Sequence, residues 1–221
     1  MQGVLITVPT HRGFPYPEVK NAIRQLCSAG AELLVASDIS DIAGGRSWLL
    51  STALRAAEER GRDVIVMIDD DIAFTPAQAE QLVQCVRDTG YPVSGVYPTK
   101  LGGLAGTRWK PWRYLVGLGF AAVSVKRLRQ LADTLRPTKY GSDGIEIWPF
   151  CTSGPNYDVG RWFAEDYAFC ALLDGFYLAP ISVGHIKAVP LVADAADVQR
   201  VTDWTDLTEP PGGWLGNRKE K

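Results

Sequence analysis

The sequence predicts an α/β fold, a mostly parallel sheet flanked by helices and built as a single domain. Three observations carry that expectation. Short apolar runs alternate with helical patterns through the first hundred positions. The 221 residues, 46% of them hydrophobic, suffice for a substantial core in one large domain or two intimately packed halves. The apolar run Val64-Ile65-Val66-Met67-Ile68 reads as a fully buried strand, and it ends in three consecutive carboxylates, Asp69, Asp70 and Asp71. Open α/β sheets bind their ligands at that carboxyl edge.

The elements follow in order. Val4 to Pro9 reads as a buried strand, and Pro17 to Ala29 as an amphipathic helix with Gly30 placed to cap it. Ala31 to Ser37 is a second strand, Ser47 to Arg60 a second helix closed by Gly61, and Asp63 onward the third strand. Thr75-Pro76-Ala77-Gln78 starts a helix with an N-cap threonine, proline at the first helical position and a glutamine that completes a capping box. That helix runs to about Gly90, and Pro92 to Tyr97 is the fourth strand, a βαβ rhythm that implies a parallel sheet. Beyond it, Lys100 to Tyr114 reads as a loop or hairpin. Ser124 can cap a helix from Val125 to about Arg136, and Pro137 to Arg161 lacks any period and reads as a long loop. Ala164 to Asp174 is a short helix, Phe176 to Val183 a strand leading to His185, and the segment after Pro190 a polar tail.

No apolar stretch approaches the roughly 20 residues that span a bilayer, and the start runs straight into a strand without a basic leader. Cys27, Cys85, Cys151 and Cys170 are scattered without a CxxC pair. Reduced thiols and a cytoplasmic location, rather than a zinc site or disulfide framework, are the expectation. The net charge of −2 hides an uneven distribution. Lys100 to Lys139 holds nine basic residues and one acidic, Asp133, a net +8 that leaves the remainder at −10. One electropositive face or lobe should result.

Three adjacent carboxylates repel one another unless a cation sits among them. Oxygen-rich clusters of this kind suit Mg²⁺ or Mn²⁺, which commonly bridge to substrate phosphates. An acidic turn capping the next helix is the plainer alternative. Four segments, in order, sharpen the choice: Ile6-Thr7-Val8-Pro9-Thr10, Ala43-Gly44-Gly45-Arg46 ahead of the second helix, Ile68-Asp69-Asp70-Asp71, and Ala164-Glu165-Asp166-Tyr167 followed later by Gly184-His185-Ile186. The set resembles the GT-A type glycosyltransferases, especially small family-2-like and phage-encoded members, over about residues 4 to 187.

That resemblance implies a GT-A-like, Rossmann-related domain at 1–190, with a nucleotide-sugar half at 1–98, an acceptor-side half at 99–190 and a tail at 191–221. It implies sugar transfer from a nucleoside diphosphate donor with Mn²⁺ or Mg²⁺, which neutralises charge on the diphosphate leaving group. Asp71 and His185 would be metal ligands, with Asp69 supporting them nearer the ribose. Pro9, Thr10, His11, Arg46, Asp69, Asp70 and Lys100 would face the donor. Asp166 would take the proton of the acceptor hydroxyl in an inverting reaction, and Glu165 would contact the acceptor. Without the resemblance, Glu165 and Asp166 need only be favourable partners of a helix dipole, and His185 a structural histidine.

Two further segments stand out. Gly117-Leu118-Gly119-Phe120-Ala121-Ala122 fits G-x-G-x-x-A but sits mid-chain, away from any helix start, so close backbone approach beneath the sugar or acceptor is the better reading, with glycine-rich packing without function as the alternative. Arg108-Trp109-Lys110-Pro111-Trp112-Arg113-Tyr114 interleaves cations with aromatics, as polyanion-binding surfaces do, and makes a nucleic-acid acceptor such as hydroxylated phage DNA an expectation. A solvated hairpin with aromatics packed beneath is the alternative. A nucleotidyltransferase of similar fold and a non-catalytic nucleotide- or glycan-binding module are the rival functions.

Overall fold

The computed structural model describes residues 1–10, 13, 15–37, 39, 41–99, 104–156, 160–186 and 191–192. The chain runs β1 (Val4–Pro9), α1 (Pro17–Ser28), β2 (Glu32–Ala36), α2 (Ile42–Glu59), β3 (Val64–Ile68), β4 (Ile72–Ala73), α3 (Pro76–Thr89) and β5 (Val93–Val96). It continues through β6 (Gly106–Lys110), β7 (Arg113–Val116), β8 (Phe120–Ser124), α4 (Val125–Ala132), β9 (Thr138–Tyr140) and β10 (Ile145–Ile147). The last elements are β11 (Gly154–Asn156), β12 (Arg161–Phe163), α5 (Glu165–Leu172), β13 (Tyr177–Ser182), β14 (Gly184–His185) and β15 (Leu191–Val192).

Six strands form the central sheet in the order β13-β5-β8-β3-β1-β2. All run one way except β8, which is antiparallel to both β3 and β5. This is the mostly parallel, helix-flanked α/β domain that the sequence implies. β1 and β3 are buried along their full length, because helices cover both faces of the sheet. Alternation then divides the core. Val4, Ile6, Val8, Val66 and Ile68 pack with Val19, Leu26, Leu82 and Val86 of α1 and α3. Leu5, Ile65 and Met67 face the other way, onto Leu54, Leu128 and Phe169 of α2, α4 and α5.

Thr75 and Gln78 form the expected reciprocal cap, with the Thr75 N–H donating to Gln78 Oε1 at 2.7 Å. Ser124 caps α4, as expected, through the Arg127 N–H.

Several expectations are corrected. β8, an apolar stretch with no strand signal of its own, inserts between β3 and β5, so the fourth strand of the first half does not neighbour the third. The stretch 137–161 is not a bare loop, because it carries the β9–β10 ladder and, with β12, the β11 ladder. α2 begins at Ile42, five residues before Ser47, and takes Gly44, Gly45 and Arg46 into its first turns. Within the single domain expected, the central sheet takes β8 and β13 from the second half of the sequence. The expected tail beyond 190 begins with β15, paired to β14, and residues 193–221 lie outside the described set. Among the described residues no helix is long and apolar enough to cross a membrane.

Candidate functional site

A cleft of about 340 Å³ opens at the carboxyl edge of the sheet, where Pro9, Thr10, Arg46, Asp69, Asp70, Asp71, Asp166 and His185 converge. Eight residues singled out in the sequence therefore share one surface. His11 and Lys100 lie outside the described residues.

The acidic triplet does not act as one cluster, because each carboxylate is held by a different element. Asp69 follows β3, its N–H donating to the Gly119 carbonyl at 3.0 Å, and its carboxylate receives Arg46 Nη2 at 2.7 and 2.9 Å. Asp70 accepts the Thr10 hydroxyl at 2.7 Å, which ties the end of β1 to the triplet. Asp71 is placed by the short ladder between β4 and β14, where His185 pairs with Ile72 and the Ile186 N–H donates to the Asp71 carbonyl at 2.7 Å. That pairing sets the His185 ring beside the Asp71 carboxylate, with Nε2 to Oδ2 at 3.2 Å.

His185 Nδ1 lies 2.9 Å from the Pro98 carbonyl oxygen, which can only accept, so Nδ1 carries the proton. Nε2 then meets Asp71 Oδ2 either as an N–H donor or as a lone pair that shares a cation with it. That distance requires a proton or a cation between the two atoms. An imidazole nitrogen beside a carboxylate oxygen fits a divalent cation of the Mn²⁺ class. Among the described residues no three His, Cys, Asp or Glu side chains gather closely enough to cage a metal. Of the three residues expected to hold a metal, Asp71 and His185 approach each other, while Asp69 is turned to Arg46.

Arg46 is the electrostatic hub. Nη1 reaches Glu165 Oε1 at 3.4 Å while Nη2 holds Asp69. Burial alone would weaken its charge, but the carboxylates of Asp69, Glu165 and Asp166 more than offset this and raise its pKa. The glycines before it serve packing. A Cβ on Gly44 would overlap the Asp41 carboxylate and the Tyr140 ring, and one on Gly45 would overlap Ile39. Glu165 is committed to Arg46 and is not among the residues lining the cleft, which differs from the acceptor contact expected of it.

Asp166 does line the cleft, from the first turn of α5. Burial raises its pKa first, the neighbouring Glu165 charge adds to that, and Arg46 opposes both, leaving it at about 6. Oδ1 accepts the Tyr167 N–H at 2.7 Å. A carboxylate that titrates near neutrality in a cleft is suited to accepting a proton.

Sequence reasoning missed Tyr97, Thr99 and the Pro98 carbonyl, which come from the end of β5 and carry no motif. Tyr97 lies edge-on to His185, with ring centroids 6.0 Å apart, and its hydroxyl receives the Gly119 N–H at 2.9 Å. Burial and the nearby Asp69 charge raise its pKa. The glycine pair is explained here. A Cβ on Gly119 would come within 2.9 Å of the Tyr97 hydroxyl and 3.0 Å of Asp69 Oδ2, and one on Gly117 would overlap that hydroxyl outright. Gly117→Ala should cost about 1–3 kcal/mol by overpacking, read as a lower urea midpoint with an unchanged slope.

The basic segment lies elsewhere. Trp109 packs edge-on to Phe163 at 5.7 Å, and Lys110 and Arg113 both pair with Asp174 at 2.6 and 2.7 Å. Arg87, Arg113, Lys126 and Arg127 line a groove with Asp63 at the opposite edge of the sheet, by the start of β3. Trp109, Lys110 and Arg113 are therefore engaged within the fold, and are not the free stacking ring and unpaired cations that the sequence suggested for a nucleic acid.

No protein-family profile and no curated protein matches the sequence. Solved structures do. The chain is similar to the crystal structure of A197 from STIV, with a TM-score of 0.54 and 18% identity over 85% of this chain and 86% of that one. At that identity the likeness establishes a shared α/β fold. A weaker likeness, with a TM-score of 0.35 and 13% identity over 58% of this chain and 65% of the other, is to a glycosyltransferase involved in the glycosylation of the major capsid of PBCV-1. That overlap is too slight to bear on function.

Proposed function

We propose that this protein is a glycosyltransferase that moves a sugar from a nucleoside diphosphate donor to an acceptor hydroxyl, with Mn²⁺ or Mg²⁺ held by Asp71 and His185. The observation that carries the reading is the placement of His185 Nε2 3.2 Å from the Asp71 carboxylate, in the same cleft as a carboxylate with a pKa of about 6. Two protein ligands are few for a closed metal site, but they are what a cation shared with substrate phosphates requires. The cation would supply charge neutralisation of the diphosphate as it leaves.

Each residue then has a task. Thr10 and Asp70 fix the end of β1 against the triplet, so the donor meets a preset surface. Arg46 orients Asp69 towards the cleft. With Oδ1 of Asp166 engaged by the Tyr167 N–H, Oδ2 takes the acceptor's hydroxyl proton. The freed oxygen bonds to the anomeric carbon, and the bond from that carbon to the diphosphate breaks with its electron pair on the leaving oxygen.

A thermal-shift screen of nucleotide sugars with and without Mn²⁺ tests this reading. One donor should raise the melting temperature only when Mn²⁺ is present, because ligands selective for the native state stabilise it. Turnover should release a nucleoside diphosphate. Release of pyrophosphate would instead identify a nucleotidyltransferase. No shift and no hydrolysis with any donor would sink the reading.

A further inference from the structure

Part of the positive charge carried by residues 100–139 gathers at the edge of the sheet opposite the cleft. A groove of about 570 Å³ lies there between the end of α3 and the start of α4. Arg87, Arg113, Lys126 and Arg127 line it, together with the carboxylates of Asp63 and Asp174. Asp63 precedes β3 and Asp69 follows it, so roughly 20 Å of strand, at about 3.3 Å per residue, separates this groove from the cleft.

The cations of the groove outnumber their partners. Arg87 is closed on Asp63, with Nε and Nη2 donating at 2.7 and 2.8 Å. Arg113 shares the carboxylate of Asp174 with Lys110, and Arg127 acts on that same carboxylate from further off. Arg127 itself donates to the Leu173 carbonyl at 3.4 Å. Lys126 is exposed, and among the described residues no carboxylate is in ion-pair contact with it or with Arg127. Their position works against the fold. Both sit in the first turn of α4, which holds no acidic residue, and cations there oppose the helix dipole. An anion in the groove offsets that opposition.

The spread of these charges identifies the class of anion. The excess cations belong to separate elements, β7 and α4, with Asp63 and Asp174 among them. A compact, multiply charged anion needs cations that converge, and the two carboxylates repel it. A phosphodiester strand carries single charges at intervals and meets dispersed cations one at a time. Positively charged grooves that follow the backbone are a common device for holding single strands.

We propose that this groove binds the phosphodiester backbone of a single-stranded nucleic acid. The proposal is independent of the sugar-transfer reading, because it invokes none of the residues of the cleft.

The test is fluorescence anisotropy of the full chain with a labelled oligothymidylate across a salt series. About three phosphates, met by Lys126, Arg127 and the excess cation at Asp174, give a log–log salt slope of about −2. Lys126→Gln combined with Arg127→Gln should weaken binding at least about tenfold at low salt and reduce that slope by about 1.4. The melting temperature should not fall. Arg24→Gln combined with Lys139→Gln removes as much charge from α1 and β9, outside the groove, and should bind as the wild type does. A duplex of the same length should bind less tightly than the strand. Pyrophosphate at micromolar levels, too dilute to screen charge, should leave the strand bound. No binding at low salt, wild-type binding by the groove variant, or an equal loss in the control variant would overturn the proposal. So would a duplex that binds as tightly as the strand, or displacement by dilute pyrophosphate.

Discussion

Replacing Asp166 by asparagine should lower turnover by about 10²–10⁴-fold, the usual share of general-base catalysis, while donor binding barely changes. The substitution keeps the side chain's shape and its contact with the Tyr167 N–H, and removes only the site that takes the proton. In the wild type, activity should rise with pH through about 6, where Asp166 becomes anionic. Stability should move the opposite way. The folded protein keeps the Asp166 proton to about pH 6, whereas an unfolded chain releases it near the ordinary aspartate value of 3.8. The native state therefore binds more protons in that window, and its stability falls as pH rises through it. The full cost above pH 6 is on the order of 2–3 kcal/mol, from about two pKa shifts of 1.36 kcal/mol each. Asp166→Asn should thus be the more stable protein at pH 7.5 and lose that advantage at pH 4, measured by urea unfolding at both. Wild-type turnover in Asp166→Asn, under conditions where chemistry limits the rate, would return this residue to a helix-dipole role.

The opposition between activity and stability was partly visible in the sequence. Two carboxylates in the first turn of a helix are an ordinary dipole pairing, and nothing local says that one of them is buried. Burial came from elsewhere, with α5 packed against β7 and the buried Cys151 nearby. The triplet was legible because a five-residue apolar run rich in β-branched residues, set between helical patterns, reads as a strand covered on both faces, which places whatever follows it at the sheet edge. The start of α2 was not legible. Gly44 and Gly45 are poor helix formers, so propensity moved the start to Ser47. Tertiary packing prevails, because only glycine admits Tyr140 and Ile39 so close to that turn.

Antiparallel β8 was missed for a related reason. Gly117 and Gly119 break its pattern, and what they accommodate, the Tyr97 hydroxyl, is 20 residues away in sequence. The surroundings of the basic segment were not legible either. Lys110 and Arg113 share the single carboxylate of Asp174, some 60 positions later, and Trp109 is drawn inward by Phe163. Sequence patterns show which groups are present. Long-range pairing decides which of them face a ligand.

Asp71→Asn should abolish Mn²⁺-dependent turnover while leaving the fold intact or slightly more stable. In the wild type without metal, His185 Nε2 lies 3.2 Å from a carboxylate oxygen, a contact that needs a proton between them. An asparagine amide at this position can donate a hydrogen bond to an unprotonated Nε2, so the metal-free variant keeps a contact there. Metal affinity should fall by more than the roughly 10–100-fold typical of losing an outer partner of a ligand, because the carboxylate itself is lost. Two measurements check this independently of activity. Mn²⁺ should raise the melting temperature of the wild type in the presence of a nucleoside diphosphate and leave that of Asp71→Asn unchanged. Manganese paramagnetic broadening should reach the His185 ring signals in the wild type and not in the variant. EDTA should abolish wild-type turnover and added Mn²⁺ restore it. Full activity of Asp71→Asn in saturating chelator would remove the cation from the mechanism and leave Asp71 and His185 as a protonated pair that only fastens β4 to β14.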